Sequence, residues 1–241
     1  MIYEIAGLRI DIQNKCVFTT KFCAAYLSED QTSPVHFSVA VSQEEFEKER
    51  ALSPNFSDGY IENICLYRNL CLLVPQYDRF LLHSCVVNCE GDGYAFLGKS
   101  GTGKSTHSAL WLKYLPQTYI VNGDKPLLAV EKDTVYAYGT PWMGKERRGV
   151  NERVPLKGLC FLRQAKENKI KRLTPAETAA LLFGQILLPT DEANAVKTLE
   201  LADTLIQTVP AYLLDCDMSQ DAVKTSYEGL TKKIFEKGEI R

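Results

Sequence analysis

Residues 93–112 read GYAFLGKSGTGKSTHSALWL, and residues 98–105 match the pattern G-x-x-x-x-G-K-[ST] without deviation. Glycines let successive backbone N–H groups curl around a phosphate, and the start of a helix adds partial positive charge. The apolar run before the loop predicts a strand, and the amphipathic run after it predicts a helix, which is the context that the motif needs. The stretch therefore predicts a phosphate-binding loop; the alternative is a glycine-rich turn that binds nothing.

The loop residues divide into a phosphate cradle and two side chains with separate roles. We expect Lys104 to reach the β- and γ-phosphates and Ser105 to place its hydroxyl on Mg²⁺. The expected nucleotide-binding residues are Gly98, Ser100, Gly101, Thr102, Gly103, Lys104, Ser105 and Thr106.

A phosphate-binding loop of this kind needs an acid at the end of a neighbouring strand to hold Mg²⁺. Asp124 closes the apolar run TYIVN and is the candidate, whereas Asp133 lies in a Lys-Asp turn that turn chemistry explains. In a kinase Asp124 could instead act as the general base, and the residues leave that choice open.

Two histidines lie close to the loop in the sequence. His83 precedes the loop strand by one hairpin, so it lies either beside the phosphates or in the core as a hydrogen-bonded histidine. His107 falls in the first turn of the helix after the loop, where we expect it to cover the helix surface.

The order of predicted elements indicates a mixed α/β fold, largely antiparallel around the loop, with a small β-rich N-terminal region. We place the N-terminal region at residues 1–78 and the catalytic domain at 79–241. The runs YEIAGLRIDI, FCAAYLS, VHFSVAVS and RFLLHSCVVNC predict strands, and hairpins turn at EGDG and at Lys132-Asp133. Residues 139–156 predict a long polar loop, and a capping box at Thr174–Glu177 predicts a helix to about Leu188.

Composition excludes several classes of protein. The 241 residues carry a net charge of −2, so no nucleic-acid or membrane partner is expected, and no apolar run is long enough to span a bilayer. The N-terminal residues lack the pattern of a signal peptide. The eight cysteines lie mostly in apolar runs, which favours reduced core cysteines in a cytoplasmic protein over a zinc site at Cys85 and Cys89. A homo-oligomer is left open.

Four further segments, taken in order with the loop, resemble a known group. LLHSCVV, the loop itself, VNGDKPLL, YGTPWMGK and NERVPLKGLCFL resemble the C-terminal catalytic domain of HPr kinase/phosphorylase, within the phosphoenolpyruvate carboxykinase-type P-loop kinases. The resemblance covers about residues 80–220. It implies antiparallel strands flanking the loop, with Lys104 and Ser105 as phosphate lysine and metal hydroxyl. It also implies that His83 lies near the reacting phosphate and that Asp124 is the second of two adjacent acids.

One departure concerns that acid pair, because Gly123 stands where the resemblance implies the first acid. The resemblance implies that in the bifunctional enzyme such a pair supports proton transfer in both directions, so the departure puts a dephosphorylating activity in doubt and leaves Asp124 to act alone as metal ligand or base. The basic segment after Trp142, residues 144–148, falls where the resemblance implies a second anion-binding site. The alternative is that this segment is a solvated basic loop without a ligand. Its candidate substrate residues are Lys145, Arg147, Arg148 and Asn151, and Trp142 either walls off a ligand or anchors the loop.

These features predict an ATP- and Mg²⁺-dependent kinase that transfers a phosphoryl group to a hydroxyl of a small molecule or of a peptide or protein serine. The expected catalytic residues are Asp124, His83 and Lys104, and the metal ligands are Ser105 and Asp124. A nucleotide-binding regulatory module with little catalysis is the alternative. Pyrophosphate remains open as the donor, and a decarboxylating enzyme is disfavoured because the chain is too short.

Overall fold

The structure is a computed structural model, and it describes residues 1–236. These residues form a mixed α/β fold with two sheets, one of three strands near the N-terminus and one of nine strands. The helices are α1 (Val17–Phe22), α2 (Gln43–Leu52), α3 (Asp58–Leu73), α4 (Lys104–Tyr114), α5 (Pro175–Leu182), α6 (Glu192–Thr208) and α7 (Gln220–Thr231), with short 3₁₀ turns at Ala24–Tyr26 and Val74–Tyr77.

The small sheet contains β1 (Ile2–Ile5), β2 (Leu8–Gln13) and β3 (Phe37–Ala40). The strands of the large sheet are β4 (Arg79–Leu81), β5 (Cys85–Cys89), β6 (Asp92–Leu97), β7 (Thr118–Asn122), β8 (Leu127–Glu131), β9 (Thr134–Tyr138), β10 (Arg153–Gln164), β11 (Lys169–Arg172) and β12 (Ala211–Cys216).

The long strand β10 joins the two halves of the large sheet. Its first residues pair antiparallel with β9, its middle pairs parallel with β6, and its end pairs parallel with β12. The other pairings within the large sheet are antiparallel, including the predicted hairpins β5–β6 and β8–β9. The strand β6, which leads into the glycine loop, therefore has one antiparallel and one parallel neighbour, so the expectation of antiparallel strands on both sides was wrong for β10.

The predicted strand FCAAYLS was wrong, because these residues form the end of α1 and a 3₁₀ turn. Thr19, Cys23 and Tyr26 are buried at helical spacing, so helical geometry places all three in the N-terminal core. The turn before α1 is held by the carboxylate of Glu62, which accepts hydrogen bonds from the backbone N–H groups of Lys15 and Cys16 at 2.6 and 2.9 Å.

The single predicted strand over residues 79–89 is broken into β4 and β5. Between them, Leu82 bridges to Ile186, and the His83 N–H donates to the Gln185 carbonyl at 2.7 Å. The same contacts explain why α5 ends at Leu182 and not near Leu188, because residues 185–186 pair with the chain at His83. The capping box at Thr174–Glu177 is confirmed.

The predicted polar loop after β9 ends earlier than expected, since β10 begins at Arg153. Among the helices of residues 1–236, none combines the length and the apolar character that spanning a bilayer requires.

The N-terminal core cluster includes Leu81, Leu127 and Trp142 beside residues of β1 and β2, so apolar packing continues across residue 78. The domain division at 78/79 stays a prediction.

Candidate functional site

The glycine loop, residues 98–103, connects β6 to the first turn of α4. Gly101 and Gly103 have φ angles of +80° and +107°, in the left-handed region where side chains with a Cβ are strained. A Cβ at either position would meet no protein atom within 4 Å, so conformation, not packing, requires glycine there. The loop is tightened by Thr102, whose hydroxyl donates to the Lys99 carbonyl at 2.6 Å.

A cleft of about 540 Å³ opens beside this loop, and we call it the glycine-loop cleft. Its walls come from β5, the glycine loop, the end of β7 and the segment after β9. Of the site residues expected from the sequence, those that line it are His83, Ser100, Gly101, Gly103, Lys104, Ser105, Thr106, Asp124, Lys145 and Arg148.

Four of the expected residues lie elsewhere. Gly98 lies at the base of the loop against Thr102, and Thr102 itself faces a second groove described below. Arg147 places its guanidinium over the ring of Phe22 at 4.5 Å, and the Asn151 amide donates to the Ala25 carbonyl at 3.3 Å. These contacts give Arg147 and Asn151 packing roles toward the N-terminal region, so their assignment as substrate residues has no support from the geometry.

Asp124 lies between two side chains at the floor of the cleft. Its Oδ1 is 3.0 Å from His83 Nε2, and its Oδ2 forms an ion pair with the Lys125 ammonium. Burial alone would raise the pKa of Asp124, but the hydrogen bonds from His83 and Lys125 outweigh burial and lower the pKa to about 2. Asp124 is therefore an ionised carboxylate at neutral pH.

The turn that presents Asp124 is built by a buried asparagine that the sequence analysis did not single out. Asn122 Oδ1 accepts hydrogen bonds from the backbone N–H groups of Asp124 and Lys125 at 2.9 and 2.7 Å. Its amide donates to the Thr140 hydroxyl at 3.0 Å, and that hydroxyl donates to the Lys125 carbonyl at 2.8 Å. An asparagine two residues before an acid is the sequence pattern of such a turn, and it was the available signal.

Lys104 and Cys85 also line the glycine-loop cleft. Lys104 Nζ donates to the Gly98 carbonyl at 2.8 Å, and burial lowers the pKa of Lys104, an effect that Asp124 opposes. Burial raises the pKa of the Cys85 thiol to about 11, so this cysteine is a neutral wall residue. Cys85 and Cys89 are both buried, free thiols.

The basic segment after Trp142 divides between the cleft and the N-terminal core. Trp142 is buried against Tyr67, with ring centroids 4.4 Å apart, and its indole N–H donates to Asn63 Oδ1 at 2.8 Å. Trp142 therefore anchors the segment and does not line the cleft. Beyond it, Lys145 and Arg148 extend into the cleft, where Arg148 pairs with Glu146 at 3.3 Å.

A second groove of about 370 Å³ adjoins the other side of the glycine loop, and we call it the Met218 groove. It shares Gly101, Gly103 and Thr106 with the glycine-loop cleft. Its remaining lining is mixed, with four polar side chains among eight residues; these residues are Thr102, His107, Leu110, Gln164, Ala165, Cys216, Asp217 and Met218. Met218 is 76% exposed.

The expectation that His107 covers the helix surface was wrong, because His107 is buried. Its Nε2 is 2.9 Å from the hydroxyl of Ser226, which donates its hydrogen to the Val223 carbonyl. His107 Nε2 is therefore the donor, and Nδ1 is buried without a hydrogen-bond partner. Burial lowers the pKa of His107 to about 4, so the imidazole is neutral at pH 7.

The donor set of the cleft fits a magnesium ion that arrives with phosphate. Within residues 1–236 no group of three or more histidine, cysteine or acidic side chains is arranged to hold a metal. The cleft offers the ionised Asp124 and the hydroxyl of Ser105. Mg²⁺ commonly binds one or two carboxylates, substrate phosphates and water, so these two residues meet its needs without a protein cage.

Comparisons with known proteins were made by family, by sequence and by structure. No protein-family model and no curated protein matches the chain. Among solved structures, the chain is similar to the HPr(Ser) kinase/phosphatase from Coxiella burnetii, with 11% identity, 63% of this chain and 97% of that chain covered, and a TM-score of 0.37. A similarity at this TM-score carries no conclusion about the chain, and the site's chemistry rests on its own residues.

Proposed function

We propose that the chain is an ATP- and Mg²⁺-dependent phosphotransferase that transfers a phosphoryl group to a hydroxyl acceptor. The observation that carries the proposal is the meeting of three kinds of group in one cleft. The glycine loop and Lys104 supply hydrogen-bond donors for phosphate oxygens, and Asp124 and Ser105 supply metal ligands. Lys145 and Arg148 supply further cations in the same cleft. Phosphoryl transfer depends mainly on positioning the phosphates and on neutralising their charge, and these groups can do both.

Within this proposal we assign Asp124 the role of metal ligand and not that of general base. A carboxylate with a pKa of about 2 is a weak proton acceptor at neutral pH, whereas its ionised form suits a dication. Bound Mg²⁺ would neutralise the charge on the phosphate oxygens. His83 donates its Nε2–H to Asp124, which leaves Nδ1 as the ring nitrogen that can accept a proton, and we assign His83 the role of general base toward the acceptor hydroxyl.

The Met218 groove favours a nucleoside triphosphate over pyrophosphate as donor. Pyrophosphate would contact only the glycine loop and the cleft. A nucleoside attached to the same phosphates has a groove beside Gly101 and Thr106 in which its base can lie, with apolar contacts from Leu110 and Met218 and polar groups on Gln164 and Asp217.

The acceptor is a hydroxyl on a small molecule or on a peptide or protein serine. The cleft is open to solvent on the side of Lys145 and Arg148, both exposed. Cations placed there suit an acceptor that carries an anionic group next to its hydroxyl.

The test is transfer of label from γ-labelled ATP in the presence of Mg²⁺ to a panel of hydroxyl metabolites and serine peptides. We expect Lys104→Ala to lower transfer by about a hundredfold or more, because the lysine stabilises charge that develops on the phosphate. The matched control is Lys113→Ala, an exposed lysine on the same helix, which should transfer as wild type.

The competing hypothesis is a nucleotide-binding regulatory module. ATP binding with no transfer to any acceptor and no hydrolysis, alike in wild type and Asp124→Asn, would favour the module and remove the kinase proposal. Equal transfer by Lys104→Ala and wild type would show that the site lies elsewhere.

A further inference from the structure

Lys125 forms an ion pair with Asp124, which is the carboxylate that the proposed function assigns to the metal. Its ammonium pairs with Asp124 Oδ2, while His83 Nε2 holds Oδ1 at 3.0 Å. Both oxygens of Asp124 are thus engaged by side chains. A metal ion that binds Asp124 must displace one of these two partners or share an oxygen with it.

Lys125 is the partner that can leave at the smaller structural cost. Its main chain is fixed on both sides, since the N–H donates to Asn122 Oδ1 and the carbonyl accepts from the Thr140 hydroxyl. The side chains of Lys125 and His83 are about equally exposed, at 38% and 37%, but the four-carbon stem of Lys125 has more rotatable bonds and so more freedom to move. The His83 ring has two rotatable bonds, and its main chain is held by Gln185.

Electrostatics also selects Lys125. An ammonium and a dication at one oxygen repel each other, so both cannot occupy Oδ2. Lys125 lines the glycine-loop cleft, as Lys104 does. Once displaced from Asp124, its ammonium lies at the wall of a cleft suited to phosphates, which are the anions available to it there.

We propose that Lys125 is a second phosphate-binding cation, whose ammonium competes with Mg²⁺ for Asp124 Oδ2 and binds phosphoryl oxygens when the metal displaces it. The inference rests on the proposed function, because it presumes that metal and phosphate meet in this cleft. It gives Lys125 two separable effects: it weakens binding of the metal alone, and it strengthens binding of phosphate.

The first arm measures metal binding by full-length protein without nucleotide, by titration with Mn²⁺ and detection of the free ion by electron paramagnetic resonance. Lys125→Met keeps the stem and removes the charge, so we expect Mn²⁺ to bind about tenfold more tightly. Lys145→Met removes one charge from the same cleft at a side chain that forms no ion pair with Asp124 among the described residues, and we expect a change of less than about threefold. Equal tightening in both variants would mean that cleft charge alone is responsible and would overturn the proposal.

The second arm isolates the phosphate contact by removing its competitor. In an Asp124→Asn background Lys125 has no carboxylate to pair with, so adding Lys125→Met removes only the contact to phosphate. We expect metal-free ATP, titrated with a chelator present, to bind about tenfold more weakly to the double variant. Equal ATP affinity of the single and double variants would overturn this half of the proposal.

Different results would overturn the proposed function and the role of Lys125. If wild type binds neither Mn²⁺ nor ATP, the proposed function fails and the role of Lys125 fails with it. If wild type binds both, but Lys125→Met binds Mn²⁺ as wild type does, only the role of Lys125 fails. Lys125→Gln repeats both arms, and circular dichroism of each variant confirms that it is folded.

Discussion

A Cβ on Gly123 would lie 2.8 Å from the carbonyl oxygen of Met143, closer than real Cβ atoms approach. The carbonyl oxygen of Arg148 would lie 3.1 Å away on another side. The main chain of the basic segment therefore packs directly on position 123 and leaves no room for a side chain. The missing acid noted in the sequence thus has a steric cause, and Asp124 is left as the single carboxylate of that turn.

Restoring an acid at position 123 should damage the site. We expect Gly123→Asp to lower the free energy of unfolding by about 1–3 kcal/mol, because the side chain forces the segment at Met143 and Arg148 to move. Chemical denaturation measures the loss, and Gly123→Ala separates the steric part from the effect of charge. A Gly123→Asp protein as stable as wild type that also dephosphorylates the product would contradict this interpretation.

The two neighbouring arginines should differ in what they affect. Arg147 packs over Phe22, so Arg147→Ala should lower stability by about 1 kcal/mol and leave ATP affinity unchanged. Arg148 lines the cleft, so Arg148→Ala should weaken binding of phosphate-bearing ligands with little change in stability. Thermal unfolding and calorimetric titration, run on both variants, test the pair. The interpretation is wrong if the two variants show the same profile.

Protein stability should fall as the pH drops below neutral because of His107. Its pKa is about 4 in the folded protein and near 6.5 when unfolded, so the unfolded state binds the extra proton between these values. We expect the free energy of unfolding to fall by about 2 kcal/mol between pH 6.5 and 4.5, and the part of this window above about pH 5.5 lies clear of the range in which carboxylates titrate.

The control for this pH dependence is a histidine on the surface. His107→Gln should remove the loss of stability in that window, whereas His36→Gln, at an exposed position, should retain it. Denaturant titrations at four or five pH values measure the slope for each protein. An unchanged slope in His107→Gln would assign the effect to other groups.

Filling the Met218 groove should affect the binding of ATP and of pyrophosphate, the two candidate phosphoryl donors, differently. We expect Ala165→Trp to weaken ATP binding by about tenfold, because the indole takes the space proposed for the nucleoside, and to leave pyrophosphate binding unchanged. Competition binding with both ligands measures the difference. Val196→Trp, at an exposed position on α6, serves as the size-matched control. Equal weakening of both ligands would place the effect on the glycine loop.

Features that depend on neighbours in the sequence were open to prediction. The glycine loop between β6 and α4, the two hairpins around it, the capping box at Thr174 and the position of Asp124 at the end of β7 each follow from a few adjacent residues. Their determinants are local: the left-handed glycines, turn residues, and the period of apolar side chains.

Only the tertiary structure decided how these pieces meet. His107 is buried because Ser226, 119 residues away, accepts its hydrogen bond, and Arg147 leaves the cleft because Phe22 offers it a ring. The break at His83 depends on Gln185, and the pairing of Lys125 with Asp124 depends on a turn held by Thr140. Such contacts join segments distant in the sequence, and a linear pattern does not record which surfaces pack together. The sequence thus determines a glycine-rich loop between a strand and a helix, whereas packing determines which cations and acids surround it.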